Sequence, residues 1–136
     1  MTEKIDKPPI DKSPGEWRGQ LSDLAYKVAR EGATEPAFSH DNFPSQTGVF
    51  YCVCCGRALF DSGAKFDSGS GWPSFFAPMS PETLGQKTDT RWFMRRTEVH
   101  CSTCNAHLGH VFDDGPKPTG LRYCVNGVTL AFKKSD

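Results

Sequence analysis

The sequence predicts a mainly β fold of short strands held together by a metal clip. Thirteen Gly, ten Pro and ten Phe in 136 residues suit short strands punctuated by turns better than a bundle of helices. Two C-x-x-C pairs, Cys52 with Cys55 and Cys101 with Cys104, each follow an apolar or alternating run, the strand-then-knuckle form of a metal half-site. Before the second pair, Phe93, Arg95, Thr97 and Val99 alternate against Met94, Arg96 and Glu98, the period of two that marks a strand.

Taken in order, residues 1–15 read as a polar, proline-dotted tail, and 16–136 as a single domain. Ser22 to Arg30 is predicted to be a helix. Ser22 can cap its start, Leu21, Leu24 and Val28 fall at helical spacing, and Gly32 follows its end. Pro36 and Pro44 mark an irregular stretch. Val49-Phe50-Tyr51 enters the first cysteine pair and Ala58-Leu59-Phe60 leaves it, while Trp92 to His100 runs into the second. Val111-Phe112 reads as a short strand that stops at Asp113-Asp114-Gly115-Pro116. Leu121 to Asn126 and Val128 to Phe132 form a last strand pair with Asn126-Gly127 at the join. A hairpin there puts Asn126 in the turn, a bulge at Gly127 leaves it on the strand, and the sequence permits both.

Charge narrows the function. Lys plus Arg and Asp plus Glu are each 16, so there is no electrostatic case for nucleic acid. No apolar run is long enough to span a bilayer, and the N-terminus lacks the apolar segment of a secretory signal, which points to the cytoplasm. In that reducing compartment, clustered cysteines favour metal binding or redox catalysis over structural disulfides.

The four paired cysteines read as ligands of one tetrahedral zinc ion, the other readings being two redox dithiols or cysteines that pack as small apolar side chains. Forty-five residues separate Cys55 from Cys101, so the metal would clip two distant segments together. Four occupied sulfurs leave no open position, which makes such a metal structural. Cys54 is a spare thiol inside the first knuckle. Cys124 stands apart from all of these, in Arg122-Tyr123-Cys124-Val125-Asn126, and is free to act as a nucleophile. On a strand, Arg122, Cys124 and Asn126 share a face. The guanidinium is then expected to depress the thiol's pKa, and the amide to bond a polar substrate atom. His107 and His110 follow the second knuckle and supply general-acid candidates near neutral pH. In Gly71-Trp72-Pro73-Ser74-Phe75-Phe76 a rigid indole can wall an apolar pocket.

These clusters, in this order, resemble the methionine-R-sulfoxide reductase B family. The likeness is carried by Lys65-Phe66-Asp67-Ser68-Gly69-Ser70-Gly71-Trp72-Pro73-Ser74-Phe75, Arg96-Thr97-Glu98-Val99, Ala106-His107-Leu108-Gly109-His110-Val111-Phe112, Asp114-Gly115-Pro116, Pro118-Thr119-Gly120 and Arg122-Tyr123-Cys124-Val125-Asn126. It runs from about Trp17 to Phe132. It implies two antiparallel sheets with short N-terminal helices and a structural zinc on Cys52, Cys55, Cys101 and Cys104. It implies Cys124 as nucleophile, His110 as general acid beside His107, and Arg122 and Asn126 in support. Trp72, with Phe75 and Phe112, would form the substrate wall. The implied substrates are oxidised-methionine proteins and free methionine sulfoxide. The implied reductant is thioredoxin or a small thiol, acting on a cysteine sulfenic acid, and the chain is expected to work as a monomer.

The sequence departs from the family in two places. Many members carry a resolving cysteine where this chain has Ser70, and Gly127-Val128-Thr129 stands where small polar residues are frequent. Two rival readings compete. A non-catalytic zinc-knuckle binding module explains four cysteines but not Cys124, the histidines and Trp72 together. A cysteine hydrolase using Cys124 and His110 lacks an oxyanion-hole signature.

Overall fold

The computed structural model of the protein describes residues 10–90 and 94–135. Its first element, α1 (Pro14–Gln20), begins with a capping box. Ser13 Oγ accepts the Glu16 N–H at 3.2 Å and Glu16 Oε1 accepts the Ser13 N–H at 2.9 Å, with Pro14 in the first helical position. The tail boundary expected at residue 15 therefore falls inside a helix. Residue 10 is attached as well, its N–H donating to Thr103 O at 2.8 Å. The Ser-x-x-Glu signature was present in the sequence, but a seven-residue helix shows too little periodicity to stand out. Helix α2 (Asp23–Glu31) follows the sequence expectation. Ser22 Oγ caps Ala25 N–H, and Gly32 ends the helix at φ 76°, a conformation open to glycine at no steric cost.

Among the described residues nine strands follow: β1 (Gly48–Cys52), β2 (Ala58–Asp61), β3 (Lys65–Phe66), β4 (Ser74–Phe75), β5 (Leu84–Asp89), β6 (Arg96–Cys101), β7 (His107–Phe112), β8 (Arg122–Val125) and β9 (Leu130–Lys134). They form two antiparallel sheets, ordered β2-β1-β9 and β3-β4-β8-β7-β6-β5. Phe50, Leu59, Phe60, Phe75, Val99, Leu108 and Val125, each 0–1% exposed, make the core. Phe75 stacks on Phe60 at 4.1 Å and meets Phe50 edge-on at 5.1 Å.

Two sequence expectations need correction. The last strand pair does not exist: β8 lies in the larger sheet and β9 in the smaller. Asn126 is extended (φ −71°, ψ 121°) and a 3-10 turn at Gly127–Thr129 carries the chain across. Tertiary partners decide this, because Asn126 accepts from the Glu35 N–H and donates to Leu108 O, which draws the chain onward instead of folding it back. The expected two-residue strand at Val111-Phe112 is the end of six-residue β7, whose polar and glycine positions pair with β6 and β8. The predicted start of the β6 strand, Trp92 and Phe93, lies outside the described residues. Strand β5 was not anticipated, since Gln86, Lys87 and Thr88 face solvent at an edge and carry no apolar alternation.

Candidate active site and metal centre

Both knuckles are built the same way. Each C-x-x-C closes with a backbone bond from the next residue to the first cysteine, Gly56 N–H to Cys52 O and Asn105 N–H to Cys101 O, each at 2.8 Å. Gly56 (φ 80°) and Asn105 (φ 63°) supply the left-handed turn. Strand β1 delivers one knuckle and β6 the other, and the four sulfurs of Cys52, Cys55, Cys101 and Cys104 come within 4.8 Å of one another. Cys52 and Cys104 sulfurs are 3.7 Å apart and those of Cys55 and Cys101 are 3.6 Å apart. A tetrahedron of thiolates around an ion at about 2.3 Å has edges of about 3.8 Å, so the cage fits. Hydrogen bonds from Cys101, Cys52 and Cys54 hold Cys104 far below the usual thiol range, while bonding to Cys101 and Cys104 pushes Cys52 far above it. A bound cation is what would let all four sulfurs ionise together in this space. Cys54 is buried beside Cys104 and Cys52 and does not line the pocket of Cys124.

The second site rests on adjacent β7 and β8. His110 pairs with Cys124 and Phe112 with Arg122, so these four side chains occupy one face. The strands approach closely because position 109 is glycine: a Cβ there would sit 2.0 Å from Cys124 O. Strand β4 flanks the other side, with Ser74 opposite Cys124. A pocket of about 150 Å³ opens over this face, lined by Trp72, Ser70, His110, Phe112, Cys124 and Asn126 together with Arg96, Arg122 and Thr34. Trp72 is half-buried and anchored by its indole N–H, which donates to Glu35 O at 3.0 Å. Phe75 does not reach the pocket. On its two-residue strand it points opposite to Ser74, into the aromatic core. His107 is buried just behind the pocket, its ring edge-on to His110 at 5.7 Å and its Nδ1 on Glu98 Oε2 at 2.5 Å.

Ser70 Oγ lies 4.0 Å from the Cys124 sulfur and belongs to a hydroxyl chain through Ser68 to Ser74, with links of 2.8 and 2.7 Å. Arg122 does not face Cys124 unencumbered. Its Nε and Nη2 donate to Asp114 at 2.9 and 3.1 Å, and its guanidinium lies over the Phe112 ring. The expected depression of the thiol pKa is therefore reversed. Burial pushes Cys124 above the ordinary thiol value, and the Ser70 hydroxyl and the Arg122 charge offset this only in part. His110 is shifted the opposite way for an imidazole. Burial lowers its pKa, its hydrogen bond to Asp89 works against this, and Arg96 lowers it further. Near neutral pH the pair is thus a thiol facing a neutral imidazole. Site-resolved alkylation by iodoacetamide reads the sulfur directly. The rate at Cys124 is expected to climb with pH along a curve displaced above that of free cysteine, because less thiolate is present at any given pH. A curve at or below that of free cysteine refutes the assignment.

Sequence reasoning missed the partners of the histidines. Asp89 Oδ2 accepts from His110 Nε2 at 2.8 Å and lies 3.5 Å from Arg96 Nη2. Burial pushes the Glu98 carboxyl up, but His100, His107 and Lys87 outweigh this and hold it at about 2. Glu98 sits on the alternating strand at the parity of Arg96, opposite to that of Val99, and the pairing with β7 sets it across from His110. Asp89 arrives on the unanticipated edge strand β5, so no local signal pointed to it.

Comparison with known proteins agrees with the geometry. The SelR domain family matches residues 21–134. The peptide methionine sulfoxide reductase MsrB of Hahella chejuensis is 52% identical over 128 residues, covering 93% of this chain and 92% of that protein. The protein of the same name from Herminiimonas arsenicoxydans is 50% identical over 133 residues, covering 97% and 93%. That of Methylibium petroleiphilum is 49% identical over 137 residues, covering 98% of each.

Proposed function

The chain belongs to the methionine-R-sulfoxide reductase B family and is an oxidoreductase, a peptide-methionine (R)-S-oxide reductase, and on that premise we propose that Cys124 takes the sulfoxide oxygen with His110 as its proton carrier. The observation that carries this reading is the cross-strand pairing of Cys124 with His110 on the floor of a pocket walled by Trp72. The sulfur of Cys124 bonds to the sulfoxide sulfur while the thiol proton passes through His110 to the sulfoxide oxygen. The hydroxyl so formed then moves from the substrate sulfur to Cys124 as the sulfur–sulfur bond breaks, leaving a sulfenic acid on Cys124 and methionine as the thioether. The thiol carries the very proton that the oxygen needs, so the exchange balances without uptake from solvent. A neutral thiol–imidazole pair is the starting state that this route requires. Asp89 holds His110 Nε2, which leaves Nδ1 to serve the oxygen.

The Trp72 indole suits the substrate methyl group, with Phe112 beside it, while His110 and the support of Arg122 and Asn126 suit the oxygen. His107 braces His110 from behind. Free methionine sulfoxide fits the same pocket as a protein side chain does. The sulfenic acid is recycled by direct attack of thioredoxin or a small thiol. One thiol displaces water to form a mixed disulfide, and a second thiol releases Cys124 and carries away the disulfide. Ser70, beside the sulfur, offers no thiol for an internal bridge, and Cys54 is committed to the knuckle. The thiolate cage suits zinc, whose role with four sulfur ligands is structural. Among the described residues, no helix is long and apolar enough to cross a membrane. A cytoplasmic address accords with cysteines that form no disulfide. The physiological role we assign is repair of oxidised proteins, with the chain acting as a monomer. Turnover of separated R and S epimers tests the proposal. Reduction of the R epimer alone is expected, with dithiothreitol and with thioredoxin. Equal rates on both epimers refute the pocket assignment, and activity with dithiothreitol but not thioredoxin assigns recycling to a small thiol in place of thioredoxin.

A further inference from the structure

The two sides of the pocket converge on a residue that lies outside it. Glu35 sits in the irregular stretch after α2 and is 1% exposed. Its backbone oxygen accepts the Trp72 indole N–H at 3.0 Å, and its backbone N–H donates to Asn126 Oδ1 at 2.9 Å. Its carboxylate accepts from Gly127 N–H at 2.8 Å and Val128 N–H at 2.9 Å, the start of the 3-10 turn that follows Asn126. His40 Nδ1 lies 3.4 Å from the same carboxylate. One side chain and its own peptide groups thus tie the indole wall, the Asn126 amide and the turn behind it. A buried carboxylate is costly unless it is fully bonded, and an apolar residue of similar size would leave two N–H groups unpaired. Gly127 cannot yield space, since a Cβ there would meet His40 O at 1.9 Å.

We propose that Glu35 is a positioning residue that sets the distance between the Trp72 indole and the Asn126 amide, and through it the selectivity for one sulfoxide epimer. The inference rests on reading the pocket as a sulfoxide site. Epimers differ by exchange of methyl and oxygen between the two walls. Walls at a fixed spacing reject the exchange, whereas a wall free to slide by about 1 Å accepts it.

Glu35→Gln tests this. It keeps the volume and the backbone bonds, but turns an NH₂ toward one of the two backbone donors. The expected result, with far-UV circular dichroism and Cys124 alkylation unchanged, is at least a tenfold rise in KM for the R epimer, a smaller change in kcat, and at least a tenfold fall in the R-to-S ratio of kcat/KM. Wild-type KM and epimer ratio in the variant overturn the inference, even where its Tm is lower. A wild-type protein that reduces neither epimer removes the reading of the site, and the inference with it. Should the variant not fold, the Cys124→Ser protein titrated with dimethyl sulfoxide carries the test. Concerted shifts of the Trp72 indole N–H and the Gly127 and Val128 amides in nuclear magnetic resonance are expected, and independence of these signals overturns the inference.

Discussion

Cys124→Ser is expected to abolish reduction of the R epimer, lowering kcat/KM by on the order of 10³-fold or more, which corresponds to about 4 kcal/mol of lost transition-state stabilisation. The reason is specific to sulfur. A serine oxygen at this position is nearly isosteric, but it neither ionises near neutral pH nor accepts an oxygen atom to form a reducible intermediate. The fold should tolerate the change. Cys124 makes no disulfide and its place in β8 is set by backbone pairing to β4 and β7. Unchanged circular dichroism together with lost turnover is therefore the expected pair of results. A variant that still repairs the R epimer at wild-type speed eliminates Cys124 as nucleophile. Mass spectrometry of the wild-type protein after one turnover without reductant should find a single added oxygen on Cys124. A bridge from Cys124 to Cys54 in the same sample would refute recycling without a resolving thiol.

Cys104→Ser is expected to release the metal and to cost several kcal/mol of stability, read as loss of one equivalent of zinc by native mass spectrometry and a large fall in Tm. The clip closes a long loop between the knuckles, worth roughly 4 kcal/mol of unfolded-chain entropy by the cross-link estimate. The liganded ion adds its own binding free energy, because no such cage exists in the unfolded chain. Cys104 is 0% exposed and anchors more than the ion. Its backbone oxygen accepts from Arg30 at 2.9 Å, and Arg30 in turn lies over the Trp17 ring at 4.4 Å, so both N-terminal helices feel the knuckle. Addition of a strong chelator to the wild-type protein should reproduce the fall. An unchanged Tm in both experiments would mean that the four cysteines only pack as small apolar side chains.

How much of this was legible in the chain depends on the range of the interaction concerned. Metal half-sites, the second helix with its Ser22 and Gly32 caps, and the shared face of Arg122 and Cys124 follow from spacing within a few residues, and all appear in the structure. The resemblance of long ordered motifs extended that reading to the family. The first helix carries its start signal in Ser13-Pro14-Gly15-Glu16, but seven residues show too little periodicity, so the family resemblance alone implies it.

Other features had no local signature. Phe75 was read as a pocket residue and lies in the core, because its side depends on a two-residue strand whose register β8 dictates. Asn126-Gly127 has the dipeptide of a hairpin and crosses between sheets, because partners far away in sequence, Glu35 and Leu108, hold it extended. The shift of Cys124 above the usual thiol range reverses the sign that a neighbouring arginine implies, since Asp114 engages that arginine and burial outweighs its charge. Residue order alone specified which atoms could bind metal, attack sulfur or move a proton, because those properties belong to side chains and their near neighbours. Only the folded chain decided which of them meet, which way each strand faces and how much water each group loses, because burial and register are collective results of packing between segments far apart in sequence.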